Sequence, residues 1–368
     1  PMKIHLALAL SILSPLLVGT TYASSIPLWI GTGGKNAKGI YKATFDSKNG
    51  TLTSPVLAAE VEGPGWVTLN SKKDRLYAVC KIGEPRVAVW SISGDGKLSL
   101  INSQPIGDGG AAHVCLDMED RILFTAQYGG GSTAAFALSK DGSIGKRTAL
   151  IEHKGSGPNE QRQKSPHPHW TGVSPDNRFL FVPDLGNDRI EIYKIDHENQ
   201  TIEDHGFGQT VPGGGPRHMK FGSDGSKVYL LNELLLSVTV FDYDAKDGKL
   251  RPIQTIENIP PEEIEIPSKS SEIRVHPSGK FVYAANRGPD NITVFAVDNS
   301  TGKLSFVENE AIRGAWPRNF NLSPDGKWLI AAGRYSNTLS LFEIDQETGG
   351  LIFTGKVENC PSPICITH

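Results

Sequence analysis

Two histidines separated only by Pro168, His167 and His169, end a polar run that begins at Gly155 and also carries Arg162 and Gln163. At neutral pH an imidazole takes a proton from water or returns one, the elementary act of general acid–base catalysis. One of the two is expected to face inward and the other away. A lone histidine is more often a hydrogen-bonded structural residue, but a long polar insertion ending in two of them points to function. Downstream, Arg217 follows Pro216 and Arg318 follows Pro317, at matching places, and Arg287 stands between Asn286 and Gly288. Guanidinium forks grip carboxylate or phosphate at two points and stabilise developing oxyanions. A single such arginine more commonly ties backbone carbonyls together, whereas three that converge make an anion site. Glu233 ends the apolar run Val228–Leu231 through Asn232, and a buried carboxylate needs a partner, here Arg217 or Arg287. Asp184 and Asp188 read as turn-fixing residues, and Glu272 is open between structural and orienting roles. A His-x-His pair can hold metal, but no carboxylate stands beside this one to complete a site. No metal or other cofactor is expected.

These side chains need a frame that brings them together, and the chain spells one by repetition. Trp66–Asn70, Arg75–Val79, Arg86–Ile92 and Gly94–Leu98 form a unit whose order recurs from His113, His169, Arg217, Ile273 and Arg318. The apolar markers of the second strand, Tyr77, Leu123, Phe181, Tyr229, Tyr283 and Ile330, stand roughly 46 to 58 residues apart, the range of propeller blades. Each unit holds short alternating or continuous runs of Val, Ile, Leu, Tyr and Phe. Turn signals such as Ser174–Asn177, Gly222–Gly225, His276–Gly279 and Ser323–Gly326 separate them. No sustained helical period occurs after the N-terminal stretch. The expected fold is all-β: a seven-bladed β-propeller of four-stranded antiparallel blades. The first unit begins at Leu28, with what the others use as their second strand. Its missing first strand resembles Cys360–Ile366, so the C-terminal strand is expected to complete the N-terminal blade and close the ring.

In 368 residues the net charge is −3, with basic residues dispersed, which gives no electrostatic case for nucleic acid. Lys3 followed by the apolar run Leu6–Val18 and the small-residue step Thr21–Ala23 reads as a secretory signal over 1–23, leaving a single propeller domain over 24–368. The mature chain is expected to be exported, periplasmic or secreted, with no membrane span after cleavage. Export permits disulfides among Cys80, Cys115, Cys360 and Cys365. Free buried thiols are the favoured expectation, and none of the four has Cys-x-x-Cys spacing. Nothing in the sequence reports an oligomeric state.

Taken together, Gly155–Asn159, Arg162-Gln163, His167-Pro168-His169, Pro183–Asp188, Gly215–Met219, Asn232–Leu234, Asn286–Gly288 and Pro317–Phe320 resemble the seven-bladed propeller lactonase family. That family includes 6-phosphogluconolactonases and carboxymuconate-lactonizing cycloisomerases. The resemblance covers nearly all of the chain after residue 23. It implies a small-molecule lactone or sugar-derived anion as substrate, and it places catalytic groups at His169, Arg217, Glu233 and Arg287. The same four positions emerge from the residues themselves. His167, Arg162, Gln163, His218, Arg318 and Asn319 are the neighbours expected to contact substrate. Hydrolysis of a lactone bearing an anionic group is the leading expectation. Muconate-type cycloisomerisation and non-enzymatic ligand binding by an exported propeller are the alternatives. The sugar-phosphate lactonases of the family work in the cytoplasm, whereas this chain reads as exported.

Overall fold

The computed structural model describes residues 24–260, 262, 264 and 267–368. The expected leader, 1–23, lies outside them. Among the described residues every sheet is antiparallel and no α-helix occurs. Six sheets have four strands each, and a seventh pairs the C-terminal strand Pro363–Thr367 with Ser25–Thr32, followed by Gly39–Asp46 and two short outer pieces. The chain therefore forms a seven-bladed ring closed by its own last strand. Trp29↔Thr367 and Ile30↔Ile366 set the register of that closure. The Asn319 side chain of the neighbouring blade adds to it by accepting the Ile366 amide at 2.9 Å.

Apolar side chains between blades hold the ring, because one twisted sheet cannot bury both of its faces alone. The second-strand markers Tyr77, Leu123, Phe181, Tyr229, Tyr283 and Ile330 all lie in this buried layer. The tyrosines among them also reach across to the outer hairpin of the next blade. The hydroxyls of Tyr77, Tyr229 and Tyr283 donate to the carbonyls of Gly142, Gly302 and Gly349 at 2.7, 3.1 and 2.9 Å. Gly349 needs its glycine twice over: φ is +77°, and a Cβ there would meet the Phe281 ring at 2.4 Å. All four cysteines are unpaired.

The inner strands carry the feature that matters for the site. Where several of them approach one mouth of the channel, the register against the second strand slips by one residue. Pro216 pairs with Asn232 but His218 with Leu231, leaving Arg217 without an opposite residue. Arg318 is left over in the same way between Pro317 and Asn319, and Ala112 between Ala111 and His113. Ser271 and Glu272 together face Ala285. A bulge bends the strand and re-aims the extra side chain, so these slips turn the extra residue toward the mouth.

Candidate active site

The bulged position defines the wall of a pocket of about 500 Å³ at that mouth. Pro168, Pro216 and Pro317 each make the last ladder pair of their inner strand, opposite Asp184, Asn232 and Gly333. The residues that follow them, His169, Arg217 and Arg318, all line the pocket. The residue just beyond the end of the second strand supplies the rest of the ring, as Tyr128 and Glu233, while Arg287 ends its own second strand. Lys269 opens an inner strand, and Arg162 arrives from the long insertion. Two carboxylates fix that insertion. Asp184 accepts the amides of His167 and Gly186 at 2.6 and 2.8 Å. Asp188 accepts Gln163 Nε2 and the amides of Gly213 and Gly215, which ties the insertion to the turn entering Arg217.

Glu233 is the hub. Its carboxylate accepts from Arg217 Nη1 at 2.6 Å and Arg162 Nη2 at 3.0 Å, and Arg287 Nη2 stands 3.1 Å away. Burial alone would raise its pKa, but Arg287, Arg217 and Arg162 hold it well below the usual carboxylate range. Glu233 is therefore an anchor for guanidiniums and too weak a base to deprotonate water. Backbone carbonyls complete the clamp: Arg217 Nε donates to Ser271 O at 2.7 Å and Arg287 Nη2 to Ser270 O at 2.6 Å. Burial brings Arg217 down to about 10, even with Glu233 opposing.

His169 is 5% exposed, and its Nε2 receives Arg217 Nη1. The other nitrogen, Nδ1, is buried without a partner among the described residues. Burial first, then Arg217, His218 and Arg318, push its pKa well below 6.5, so the ring is neutral. Arg318 stands apart from the other arginines, since its guanidinium has no hydrogen bond or ion pair among the described residues. Burial and the charges of Arg217 and Arg287 drive its pKa well below arginine's ordinary value. Lys269 is likewise without a carboxylate partner among the described residues, and burial lowers it. The wall thus holds five cations, Arg162, Arg217, Lys269, Arg287 and Arg318, against the single carboxylate Glu233. That excess is built for an anion.

Residues 20–368 match the family described as "Lactonase, 7-bladed beta-propeller". The chain belongs to this lactonase family. It is 35% identical over 295 residues to the 6-phosphogluconolactonase of Bacillus subtilis, covering 79% of this chain and 83% of that protein. With the 6-phosphogluconolactonase of Formosa agariphila it shares 31% identity over 295 residues, covering 78% and 82%. Among solved structures, the periplasmic gluconolactonase of Pseudomonas aeruginosa superposes with a TM-score of 0.88 at 29% identity, covering 94% of this chain and 99% of that one.

Within this lactonase fold the residues singled out from the sequence separate into two layers. His169, Arg217, Glu233, Arg287, Arg162 and Arg318 meet at the pocket. His167 stays beside it, stacked on Tyr128 with ring centroids 4.6 Å apart and Nδ1 on the Tyr128 carbonyl at 2.8 Å. Gln163 is fully buried and engaged by Asp188, Leu185 O and the Asn159 amide, so it shapes the insertion and does not face the pocket. His218 and Asn319 lie one residue further along their inner strands than Arg217 and Arg318, in the channel below. Both are bound to Glu272, His218 Nδ1 at 3.2 Å and Asn319 through its Nδ2. Trp66 and Trp170 are buried in the same layer against His113. Tyr128 and Lys269 were not foreseen. Tyr128 was findable, because it follows Gln127 at the repeat position that Glu233 occupies after Asn232.

Proposed function

We propose that the chain hydrolyses a sugar-type lactone bearing an anionic group, with His169 as general base and Arg217 and Arg287 as oxyanion donors. The single observation that carries this is a neutral, buried imidazole in a wall of five cations and one carboxylate. Arg318 and Lys269, the cations without a carboxylate, take the substrate anion. Arg217 and Arg287, held by Glu233 and by backbone carbonyls, face the lactone carbonyl. Donors aimed at the developing charge stabilise the tetrahedral oxyanion, each contributing about 3–4 kcal/mol in well-studied cases. In the resting site the Nε2 lone pair of His169 is engaged by Arg217. As negative charge grows on the carbonyl oxygen, Arg217 Nη1 turns to it and frees Nε2. That nitrogen takes a proton from water, the hydroxide oxygen bonds to the carbonyl carbon, and the ring C–O bond breaks. The leaving ring oxygen recovers the proton from His169, so the net change is one water added.

Three further points support the reading. The pocket volume suits a hexose-sized ligand. His169 and Glu233 are buried in the pocket wall and Trp66 and Trp170 are buried in the channel, while the half-buried Trp316 stacks on Tyr335 with ring centroids 5.1 Å apart and lies under Arg287. The relatives are named for sugar lactones, with and without phosphate. An exported location, with the periplasmic gluconolactonase of Pseudomonas aeruginosa as precedent, belongs to the same proposal.

The test is hydrolysis of 6-phosphogluconolactone, gluconolactone and a carboxylated muconolactone by wild type and His169→Ala, corrected for spontaneous opening. Saturable activity that drops at least ~100-fold in the variant is expected. Opening of the muconolactone by elimination to the unsaturated diacid, without uptake of water, would assign the site to cycloisomerisation. No turnover on any member would leave a binding propeller.

A further inference from the structure

Beneath the pocket the channel holds a second polar cluster that the mechanism above does not use. His218 is fully buried and its Nδ1 faces Glu272 Oε1 at 3.2 Å. The carboxylate can only accept, so Nδ1 carries the proton and Nε2 presents a lone pair. That Nε2 has no partner among the described residues. His169 is its complement. Its Nε2 lone pair is engaged by Arg217, so the proton sits on Nδ1, which is also buried and unpartnered. The two rings are neighbours, with centroids 5.2 Å apart and planes inclined at 58°. The two nitrogens are not hydrogen-bonded to each other, so an unmatched donor and an unmatched acceptor stand on adjacent imidazoles without yet meeting.

We propose that His218, backed by Glu272, is the second member of a two-imidazole proton relay with His169. The inference rests on the hydrolytic reading of the pocket. As His169 Nε2 takes a proton from water, the two rings turn to bring Nδ1–H onto His218 Nε2, the Nδ1–H bond breaks and that proton bonds to His218 Nε2. The hydroxide oxygen bonds to the lactone carbonyl carbon. When the ring C–O bond breaks, the proton returns from His218 to His169 Nδ1 while the Nε2 proton passes to the leaving oxygen. Both imidazoles end as they began.

The surroundings explain why such a step belongs here. His169 faces Arg217 and Arg318, and no carboxylate touches its ring, so an imidazolium there is unsupported. His218 faces Arg217 and Lys220 from its own strand, Trp66 and His113 from two others, and Glu272 from the next blade. Of the two rings, it alone has a carboxylate. Glu272 is kept ionised by Arg274, His218 and Lys220 against the effect of burial, and Asn319 and the Ile273 amide fix its orientation. Burial lowers His218 to about 4, with Glu272 opposing that fall. His113, the third imidazole of the stack, has its Nδ1 bound by Thr171 and no carboxylate against it. It serves as the control.

The experiment compares wild type, His218→Gln, Glu272→Gln and His113→Gln as full chains on 6-phosphogluconolactone and gluconolactone, after each is shown to melt cooperatively. His218→Gln and Glu272→Gln are expected to lower kcat at least ~10-fold with KM within about twofold, while His113→Gln stays near wild type. In mixtures of light and heavy water the wild-type rate should fall along a curve, as two protons in flight require, and His218→Gln should give a straight line. Wild-type kcat in His218→Gln, or a loss that keeps the curve, overturns the relay and leaves His218 a packing residue. Nitrogen NMR of 15N-histidine protein decides the matter without turnover: both His169 and His218 must be Nδ1-protonated, and an Nε2-protonated His218 sinks the proposal. If His169→Ala alone proves as active as wild type, the fault lies in the pocket reading, a separate result.

Discussion

Arg318 is a cation of the pocket without a hydrogen bond or ion pair among the described residues, and its two properties pull in opposite directions. Partial burial beside Arg217 and Arg287, with Nε buried and unpartnered among the described residues, destabilises the folded state. The same isolation leaves its guanidinium fork free for an incoming anion, unlike Arg217, which is already bound to Glu233, His169 and Ser271 O. Replacement therefore separates function from stability. Arg318→Ala is expected to raise KM for 6-phosphogluconolactone by roughly 10- to 100-fold, the equivalent of ~1.5–3 kcal/mol for a charge-assisted contact. Its effect on neutral gluconolactone should be smaller. The melting temperature of the unliganded variant should rise, since a partly desolvated like charge is removed. Steady-state kinetics on the two lactones and a thermal melt check both halves. A lower melting temperature with unchanged KM would show that Arg318 is a structural staple.

At the scale of the strand and the blade, the same devices recur and give each position its meaning. The tyrosine of the second strand both fills the interblade layer and caps the next hairpin, as Tyr283 does with Gly349 O at 2.9 Å. Tyr283→Phe keeps the packing and leaves that carbonyl short of a donor. A loss of about 1 kcal/mol is expected from the denaturant midpoint, with kcat unchanged. A shift several times larger would mean that the hairpin itself had moved. These markers were legible in the sequence because burial between blades demands an apolar residue at one position in every repeat, and the closing strand was legible by the same token. Arg217, Glu233 and Arg287 were legible as polar interruptions of that pattern. The bulge was not: nothing in Gly215-Pro216-Arg217-His218 states that Arg217 and His218 part company, one to the pocket and one to the channel. Register slip depends on how two strands pair, and one strand's sequence does not contain it. Gln163 and Asn319 carry side chains suited to substrate, but within the fold Asp188 engages Gln163, while Asn319 donates to Glu272 and accepts the Ile366 amide.

The whole ring shares one axial channel, and what fills it couples the stability of all seven blades to pH. His113, His169 and His218 form a packed stack, with centroids 5.9 Å and 5.2 Å apart along it, and burial lowers the pKa of all three. Above pH 6.5 these imidazoles are neutral in both the folded and the unfolded chain, so they impose no pH dependence. As pH falls below 6.5 the unfolded chain takes up protons that the folded channel refuses, and stability is lost progressively toward the folded-state values, about 4 for His218. His218 alone removes roughly 2 kcal/mol by pH 5. Glu233 and Glu272, also depressed, act in the same direction, but only once pH drops below about 4.5, where unfolded carboxylates begin to protonate. The melting temperature should therefore be level from pH 8 to 7 and fall between pH 6.5 and 4.5, before the carboxylates contribute. His113→Gln, which removes one of the three rings, should make that fall shallower while leaving the plateau's shape intact. Because the last strand closes the ring onto the first blade, the loss should appear as one cooperative transition. Calorimetry at half-unit steps reads both. A melting temperature that stays level to pH 4.5 would mean that the channel imidazoles already share protons with solvent, and the neutral stack beneath the pocket would have to be abandoned.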